Sequence, residues 1–194
     1  LHLKGKAAFA VGDLLRSLAR EGEIYCDLRG RYGTAEQFGA IRGTISGNER
    51  GFGFFVPDDP ELEDLFIPHR ALRGAYNKDI VLAFKKRGRS DDEGEVLTVV
   101  KRGYTELVGT FRRERTGGTI HPDDRKFSTD IFIPSDRGKG ASSGAKVVAH
   151  IRSFDGRMPT GEIVEVLGES GDFFVEEAAL IRAHSLKEEF PQEV

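Results

Sequence analysis

Hydrophobic positions along the chain fall into short alternating runs rather than into long helical stripes. Alternation with a period of two predicts strands that bury one face, and turn-forming residues separate the runs. Five such runs lie in the first half of the chain, at 41–46, 52–56, 64–67, 79–84 and 94–101. A flat sheet of this size leaves its edges open, so the pattern predicts closure into a small five-stranded barrel.

The same pattern occurs a second time farther along the chain. Asp64–Pro68 matches Asp130–Pro134, and Gly43-Thr44 matches Gly109-Thr110, with an offset of about 66 residues in the numbering. Collinear matches at a nearly constant offset indicate an internal repeat. The sequence therefore predicts a mainly β chain with two tandem five-stranded barrels of the OB-fold type, at 41–105 and 106–168.

Helical patterns flank the two barrels. Apolar residues recur at helical spacing over 11–21, and alternation over 24–32 predicts a hairpin. A helix followed by a hairpin resembles the end of a winged-helix domain, so 1–40 is interpreted as a partial helix-turn-helix segment. At the other end, Asp172 is positioned to cap a helix over 173–185. We expect 169–194 to form a helical linker toward a catalytic domain that this chain lacks, with Glu188–Pro191 leading onward.

Aromatic residues of the first repeat gather on one predicted face. Phe52 and Phe54 share a face of the second strand, whereas Phe55 points into the core. Leu65 and Ile67 point inward from the third strand, so Phe66 points outward. Unpaired bases stack on exposed rings with little regard to sequence. These residues predict an exposed RNA-binding platform, and we expect the neighbouring glycines to let a flat partner approach the rings closely. The alternative is that the rings pack beneath a loop or another domain.

Basic residues near this face are candidates for phosphate contacts. In the first repeat they are Arg42, Arg50 and Arg70. The loop 85–89 is also basic, and a solvated loop is its simpler interpretation.

The second repeat keeps the strand pattern but loses most of the rings. Gly117 stands in place of Phe52, Thr119 stands in place of Phe54, and Phe132 alone matches Phe66. Arg112 and Arg113 lie in the first strand of this repeat. We expect this repeat to contact the RNA backbone mainly through charge, with Arg112, Arg113 and Phe132 as its RNA-binding residues. A structural spacer domain is the alternative.

Two motifs of the first repeat resemble known RNA-binding motifs. Arg50-Gly-Phe-Gly-Phe54 and Leu65-Phe-Ile67 are similar to the paired motifs of cold-shock domains. The resemblance implies that Phe52, Phe54 and Phe66 occupy the stacking positions of that family. Two departures are visible, because Gly47 replaces an aromatic residue of the first strand and Pro68 replaces a histidine.

The order of segments resembles the N-terminal part of the ribonuclease II family. That resemblance implies a parent protein that is a hydrolytic 3′→5′ exoribonuclease, with Mg²⁺ bound in a separate catalytic domain. The catalytic acidic cluster of the family has no counterpart in this chain, so we expect the chain itself to be inactive and to hold no cofactor. The implied partners are single-stranded RNA and the catalytic domain of the parent chain.

Composition removes several other classes. The net charge is −3, and the last 26 residues hold seven acidic and two basic residues, so the rest is slightly basic. One cysteine, Cys26, excludes an internal disulfide and a multi-cysteine zinc site. The chain has no long apolar run and no secretory leader pattern, so we expect a cytoplasmic protein without membrane association.

Two other functions remain open at this point. A non-catalytic RNA chaperone would use the same rings without any nuclease. A DNA-binding regulator would use the helix 11–21 instead, although Arg16 and Arg20 are its only basic residues.

Overall fold

A computed structural model describes residues 6–21, 23–86, 92–155 and 158–183. Most of the predicted basic loop 85–89, the end of the predicted helix 173–185 and the predicted linker Glu188–Pro191 lie outside these ranges. The chain divides into two compact units. One contains the chain up to Gly103 without the turn Asn48–Arg50, and the other contains that turn and the chain from Tyr104 onward.

The first unit begins with a helix and a hairpin, as the sequence predicts. Helix α1 spans Lys6–Glu21, and strands β1 (Tyr25–Cys26) and β2 (Tyr32–Gly33) pair in antiparallel fashion. A short helix α2 (Ala35–Phe38) follows, and the sequence analysis missed it. Its start is a capping box, in which the Thr34 hydroxyl accepts from the Gln37 amide and the Gln37 side chain accepts from the Thr34 amide.

Five strands then form the first barrel of the repeat. They are β3 (Ile41–Gly47), β4 (Gly53–Pro57), β5 (Leu65–Ile67), β6 (Ile80–Lys85) and β7 (Gly94–Lys101). All neighbouring pairs are antiparallel, in the order β5-β4-β3-β6-β7. The inward residues of each strand meet in one core, which includes Ile45, Phe55, Ile67, Val81 and Val96. The predicted strands of this repeat are confirmed to within one residue or two.

The second unit repeats this arrangement. Its strands are β8 (Glu106–Glu114), β9 (Gly117–Pro122), β10 (Ile131–Pro134), β11 (Ala145–Ser153) and β12 (Thr160–Glu169). They form a closed barrel in the order β10-β12-β11-β8-β9. In both units a single 3₁₀ turn follows the Ile-Pro pair, at His69–Ala71 and Ser135–Arg137.

Among the described residues, one parallel residue pair closes the seam of each barrel. In the second barrel β10 joins β12 as a parallel pair, with Phe132 opposite Thr160. In the first barrel the equivalent seam is one isolated bridge between Phe66 and Glu93. The Phe66 amide donates to the Asp92 carbonyl there, at 2.7 Å.

The repeated Gly-Thr pair has a steric cause. A Cβ atom on Gly43 would lie 2.3 Å from the Val56 carbonyl oxygen, and one on Gly109 would lie 2.4 Å from the His121 carbonyl oxygen. Each glycine lets the next strand cross closely where the sheet curls. Each barrel therefore requires a glycine at this position, which explains why the Gly-Thr pair occurs in both repeats.

Helix α3 (Phe173–Ala183) ends the described part of the second unit. The Asp172 carboxylate accepts from the Phe174 amide at 2.9 Å and so caps the helix, as predicted. Ala179 packs on Val108 and Val148. None of the helices in the described part of the chain has the length and apolar character needed to cross a bilayer.

Candidate nucleic-acid interface

Three phenylalanine rings come together on the outer face of the first barrel. The centroid of the Phe52 ring lies 5.8 Å from that of Phe54 and 5.4 Å from that of Phe66. The rings of Phe54 and Phe66 are 6.0 Å apart, because these two residues pair directly across β4 and β5. We call Phe52, Phe54 and Phe66 the ring cluster.

The ring cluster is open to solvent in this unit. Phe54 is 42% exposed and Phe66 is 37% exposed, whereas Phe52 is half-buried. The neighbours of these rings along each strand, Phe55 and Leu65, point the other way into the core. The period of two therefore sets the orientation, and the outward rings are not needed to fill the core.

The glycine between the rings has a different role from the predicted one. Gly53 is buried, and a Cβ atom there would lie 3.2 Å from Ile45 Cγ2 and 3.3 Å from Leu72 Cδ2. The glycine therefore makes room for the core, and the expectation that it opens the face to a partner is wrong. On the rim, His69 Nδ1 lies 2.9 Å from the Gly51 carbonyl oxygen, which holds the start of β4.

The three predicted arginines lie in different surroundings. Arg42 is exposed on β3 and pairs with Asp58, so a phosphate would compete with that carboxylate. Arg50 is exposed in the turn between β3 and β4. Arg70 is exposed in the 3₁₀ turn after β5. The exposed positions of Arg50 and Arg70 leave their guanidinium groups accessible to an anion.

An acidic segment borders the ring cluster. The connection from β4 to β5 carries five exposed carboxylates, at Asp58, Asp59, Glu61, Glu63 and Asp64. Like charges repel over roughly 10 Å at moderate salt. A polyanion bound to the rings should therefore not run along this acidic segment.

The second barrel carries a reduced version of the same face. Thr119 is paired with Phe132 on one side and with Arg112 on the other, just as Phe54 is paired with Phe66 and Ser46. The register therefore places Thr119 at the position of Phe54, and Arg112 at that of Ser46. Phe132 is half-buried and Arg112 is exposed. This face offers one ring and one cation instead of three rings.

Arg113 does not join that face. Its guanidinium donates to the Ala141 carbonyl at 2.7 Å, and its Cζ lies 5.9 Å from the centroid of the buried Phe111 ring. Arg113 follows Arg112 in the strand and so points to the opposite side. The structure therefore gives Arg113 a role in holding the loop at Ala141, and it does not bring it together with Arg112 and Phe132.

The backbone at position 117 excludes an aromatic side chain. Gly117 has a φ angle of 141°, and a Cβ atom there would lie 2.3 Å from the Ile133 carbonyl oxygen. A phenylalanine therefore does not fit at this position, whereas Thr119 sits in a regular strand that accepts any side chain.

Two buried carboxylates fix the N-terminal hairpin: Asp27 closes its turn, and Glu95 joins it to the first barrel. Asp27 accepts from the Arg29 and Arg31 amides and from the Arg31 guanidinium. Burial alone would raise the pKa of Asp27, but these bonds outweigh it and hold the pKa below its ordinary 3.8. On the barrel, Glu95 accepts from the Leu28 amide at 2.7 Å. The hairpin is thus fixed to the barrel by polar contacts that its sequence pattern does not reveal.

Metal chemistry finds no support in the described ranges. No three histidine, cysteine or carboxylate side chains in those ranges are grouped so as to hold an ion.

Comparisons with known proteins agree with the two-barrel geometry. A family model described as ribonuclease B OB domain matches residues 43–99, and one described as cold shock domain matches residues 120–191. Proteins named ribonuclease R match almost the entire chain. Identity is 31% over 93% of this chain for the protein from Acidithiobacillus ferrooxidans, and 32% over 95% for that from Thermotoga maritima. This chain is a homologue of the cold-shock region of ribonuclease R.

The relationship to ribonuclease R covers only a part of those proteins. The chain spans 42% of the Acidithiobacillus relative and 26% of the Thermotoga relative. Among solved structures, ribonuclease R of Mycoplasma genitalium in complex with ribose methylated single-stranded RNA aligns with a TM-score of 0.67. Yeast Ssd1, described as a pseudonuclease, aligns at 0.62. Both are 19% identical and align over 77% and 76% of this chain and 25% of theirs, so they show the shared fold.

Proposed function

We propose that this chain captures single-stranded RNA for a ribonuclease R-type 3′→5′ exoribonuclease. The ring cluster carries the proposal, because it places three rings within 6.0 Å of one another on an exposed face. Bases stack on such rings at about 1–3 kcal/mol each, and duplex RNA hides its base faces within the stack. The ribonuclease R relatives, and the single-stranded RNA bound by the Mycoplasma protein, support this choice of ligand.

The second barrel has a supporting role in the proposal. Arg112 would contact phosphates and Phe132 would contact one base, so this barrel would extend the path of the strand with little stacking. The nuclease step and its Mg²⁺ would belong to the part of the parent protein that this chain does not include. We expect this chain alone to leave RNA intact.

Binding is tested with fluorescently labelled RNA at fixed salt. Fluorescence anisotropy compares a single strand with a blunt duplex of the same sequence, for the unchanged chain and for Phe54→Ala/Phe66→Ala. Val56→Ala is the matched control, because Val56 lies on the same face of β4, is 40% exposed and is not in the ring cluster. The proposal requires preference for the single strand, a large loss in the double variant and little change in the control. Equal affinity of all three proteins would refute it.

The nuclease assignment needs its own test, because the same fold occurs in Ssd1, described as a pseudonuclease. The full-length parent protein is incubated with 3′-overhang RNA and Mg²⁺. Progressive shortening from the 3′ end supports the exoribonuclease. Binding without shortening would favour a non-catalytic RNA chaperone.

A further inference from the structure

A cavity of about 300 Å³ lies within the first unit, between the N-terminal hairpin and the barrel. Strand β2 and helix α2 form one wall, and the ends of β6 and β7 form the other. Ligand pockets in proteins have volumes of roughly 300–1,000 Å³. The cavity is thus of a size for one small ligand, and it lies apart from the ring cluster in the chain: none of the three rings lines it.

One side of the cavity is aromatic. Tyr32 lines it and is 42% exposed. Phe38 and Phe84 line it as well, and their rings stand 5.3 Å apart with an angle of 32° between their planes. Phe84 is buried and fixes Phe38 against the barrel. The wall is therefore a supported surface on which a flat ring can stack.

The other side is cationic. Arg29, Arg31, Lys85 and Lys86 line the cavity, and the carboxylates among its described lining residues are Asp27 and Glu95. Arg31 is engaged by Asp27 at 2.6 Å, and Lys86 by Glu93 at 2.8 Å.

Two of these cations have no such engagement. Arg29 and Lys85 are exposed, and within the described ranges neither is in an ion pair. The carboxylates Asp27 and Glu95 are buried and already accept hydrogen bonds from the hairpin backbone. The charge that remains at the mouth of the cavity is positive and suits a phosphate.

We propose that this cavity binds one nucleotide of an RNA chain, with the base against Tyr32 and the phosphate on Arg29 and Lys85. This inference rests on the proposed function, since it assumes that the chain binds RNA. It adds a second subsite, built by the N-terminal segment, that the cold-shock motifs do not include. A free nucleotide has the same chemistry, and the experiment separates the two sources.

The first measurement locates RNA by crosslinking. Single-stranded RNA that contains 4-thiouridine is irradiated with the complete chain, and crosslinked peptides are identified by mass spectrometry. We expect crosslinks on the peptide of Tyr32 as well as on that of Phe54 and Phe66. The variant Arg29→Ala/Lys85→Ala should lose most of the Tyr32 crosslink and keep the others. Tyr32→Phe should keep RNA affinity, whereas Tyr32→Ala should weaken it about 5-fold or more, at the lower end of the range for one stack.

The second measurement is the dependence of affinity on salt. Each phosphate contacted on a single strand contributes about 0.7 to the slope of log K against log salt, and Arg29 and Lys85 share one phosphate, so Arg29→Ala/Lys85→Ala should reduce the slope by about 0.7. Lys101→Ala/Lys126→Ala is the control, because it removes the same charge from exposed positions outside the cavity. An equal reduction in both variants would overturn the subsite, since charge alone would then explain it.

The possible failures are distinguishable. If the unchanged chain does not bind RNA, the proposed function and the subsite both fail. If RNA binds and crosslinks only to the ring cluster, the proposed function stands and the subsite is wrong. If uridine monophosphate abolishes the Tyr32 crosslink at concentrations that leave RNA affinity unchanged, the cavity holds a free nucleotide and the RNA assignment is overturned.

Discussion

Replacing each ring of the cluster by alanine should lower folding stability and RNA affinity by different amounts, which the exposure of the ring predicts. Fully burying a phenylalanine is worth about 1.5–3 kcal/mol. Phe54 is 42% exposed, so roughly half of that value, about 0.8–1.5 kcal/mol of folding stability, is lost in Phe54→Ala. One lost stack costs about 1–3 kcal/mol of binding, or about 5- to 150-fold in affinity for a single strand.

The ranking within the ring cluster follows from exposure. Phe66→Ala should resemble Phe54→Ala, because both rings face solvent. Phe52→Ala should cost more stability and less binding, since Phe52 is half-buried. Because the rings touch, the double variant Phe54→Ala/Phe66→Ala should weaken binding by less than the sum of the single effects.

The assay combines thermal unfolding with anisotropy titrations of one single-stranded RNA at one salt concentration. Titrations are made well below the unfolding midpoint of each variant, so that loss of fold does not imitate loss of binding. The reasoning is refuted if Phe52→Ala weakens binding most while Phe54→Ala and Phe66→Ala match the control Val56→Ala.

Other predictions concern the second barrel, the hairpin and the repeat. Thr119→Phe restores a ring opposite Phe132, so affinity for single-stranded RNA should rise by about 5-fold or more; an unchanged Kd in anisotropy would count against the assigned register. The pKa of Asp27 is lowered in the folded state, so its stabilisation is present above the ordinary value and is lost as the pH falls through the lowered one. Asp27→Asn should therefore loosen the turn of the hairpin at neutral pH at a cost of about 1.5–3 kcal/mol, seen as faster exchange of the Arg29 and Arg31 amides, and acid should then add little; equal exchange in both proteins at pH 7 would contradict this. Gly109→Ala should destabilise the second unit by about 1–3 kcal/mol in thermal unfolding, whereas Gly138→Ala, where φ is −81° and the nearest heavy atom lies 3.9 Å from the added Cβ, serves as the comparison.

The barrels and the ring cluster can be predicted from the sequence because both depend on the local alternation of inward and outward residues along each strand. A period of two fixes which side of β4 carries Phe54 and which carries Phe55, whatever the rest of the chain does. The repeat then supplies the second barrel, and the pairing of Thr119 with Phe132 confirms the alignment of the two copies.

The remaining features depend on contacts that sequence patterns do not record. Helix α2 has only four residues, so its capping box at Thr34 and Gln37 is the only local signal of its presence. Alternation alone places Arg113 opposite Arg112, but its bond to the Ala141 carbonyl joins residues 28 positions apart, which no local pattern records. The cavity depends on Glu95, which accepts from the Leu28 amide and so joins the hairpin to a barrel formed far along the chain.

The single bridge at the seam of the first barrel links ligand binding to local opening. Phe66 contributes its ring to the ring cluster and its amide to the bond with the Asp92 carbonyl, which holds the seam together. Any ligand that immobilises the ring also protects that bond, so occupancy should slow hydrogen exchange at the Phe66 amide. Conversely, tension applied through a bound strand would act on this seam, which in the described part of the chain rests on one bridge.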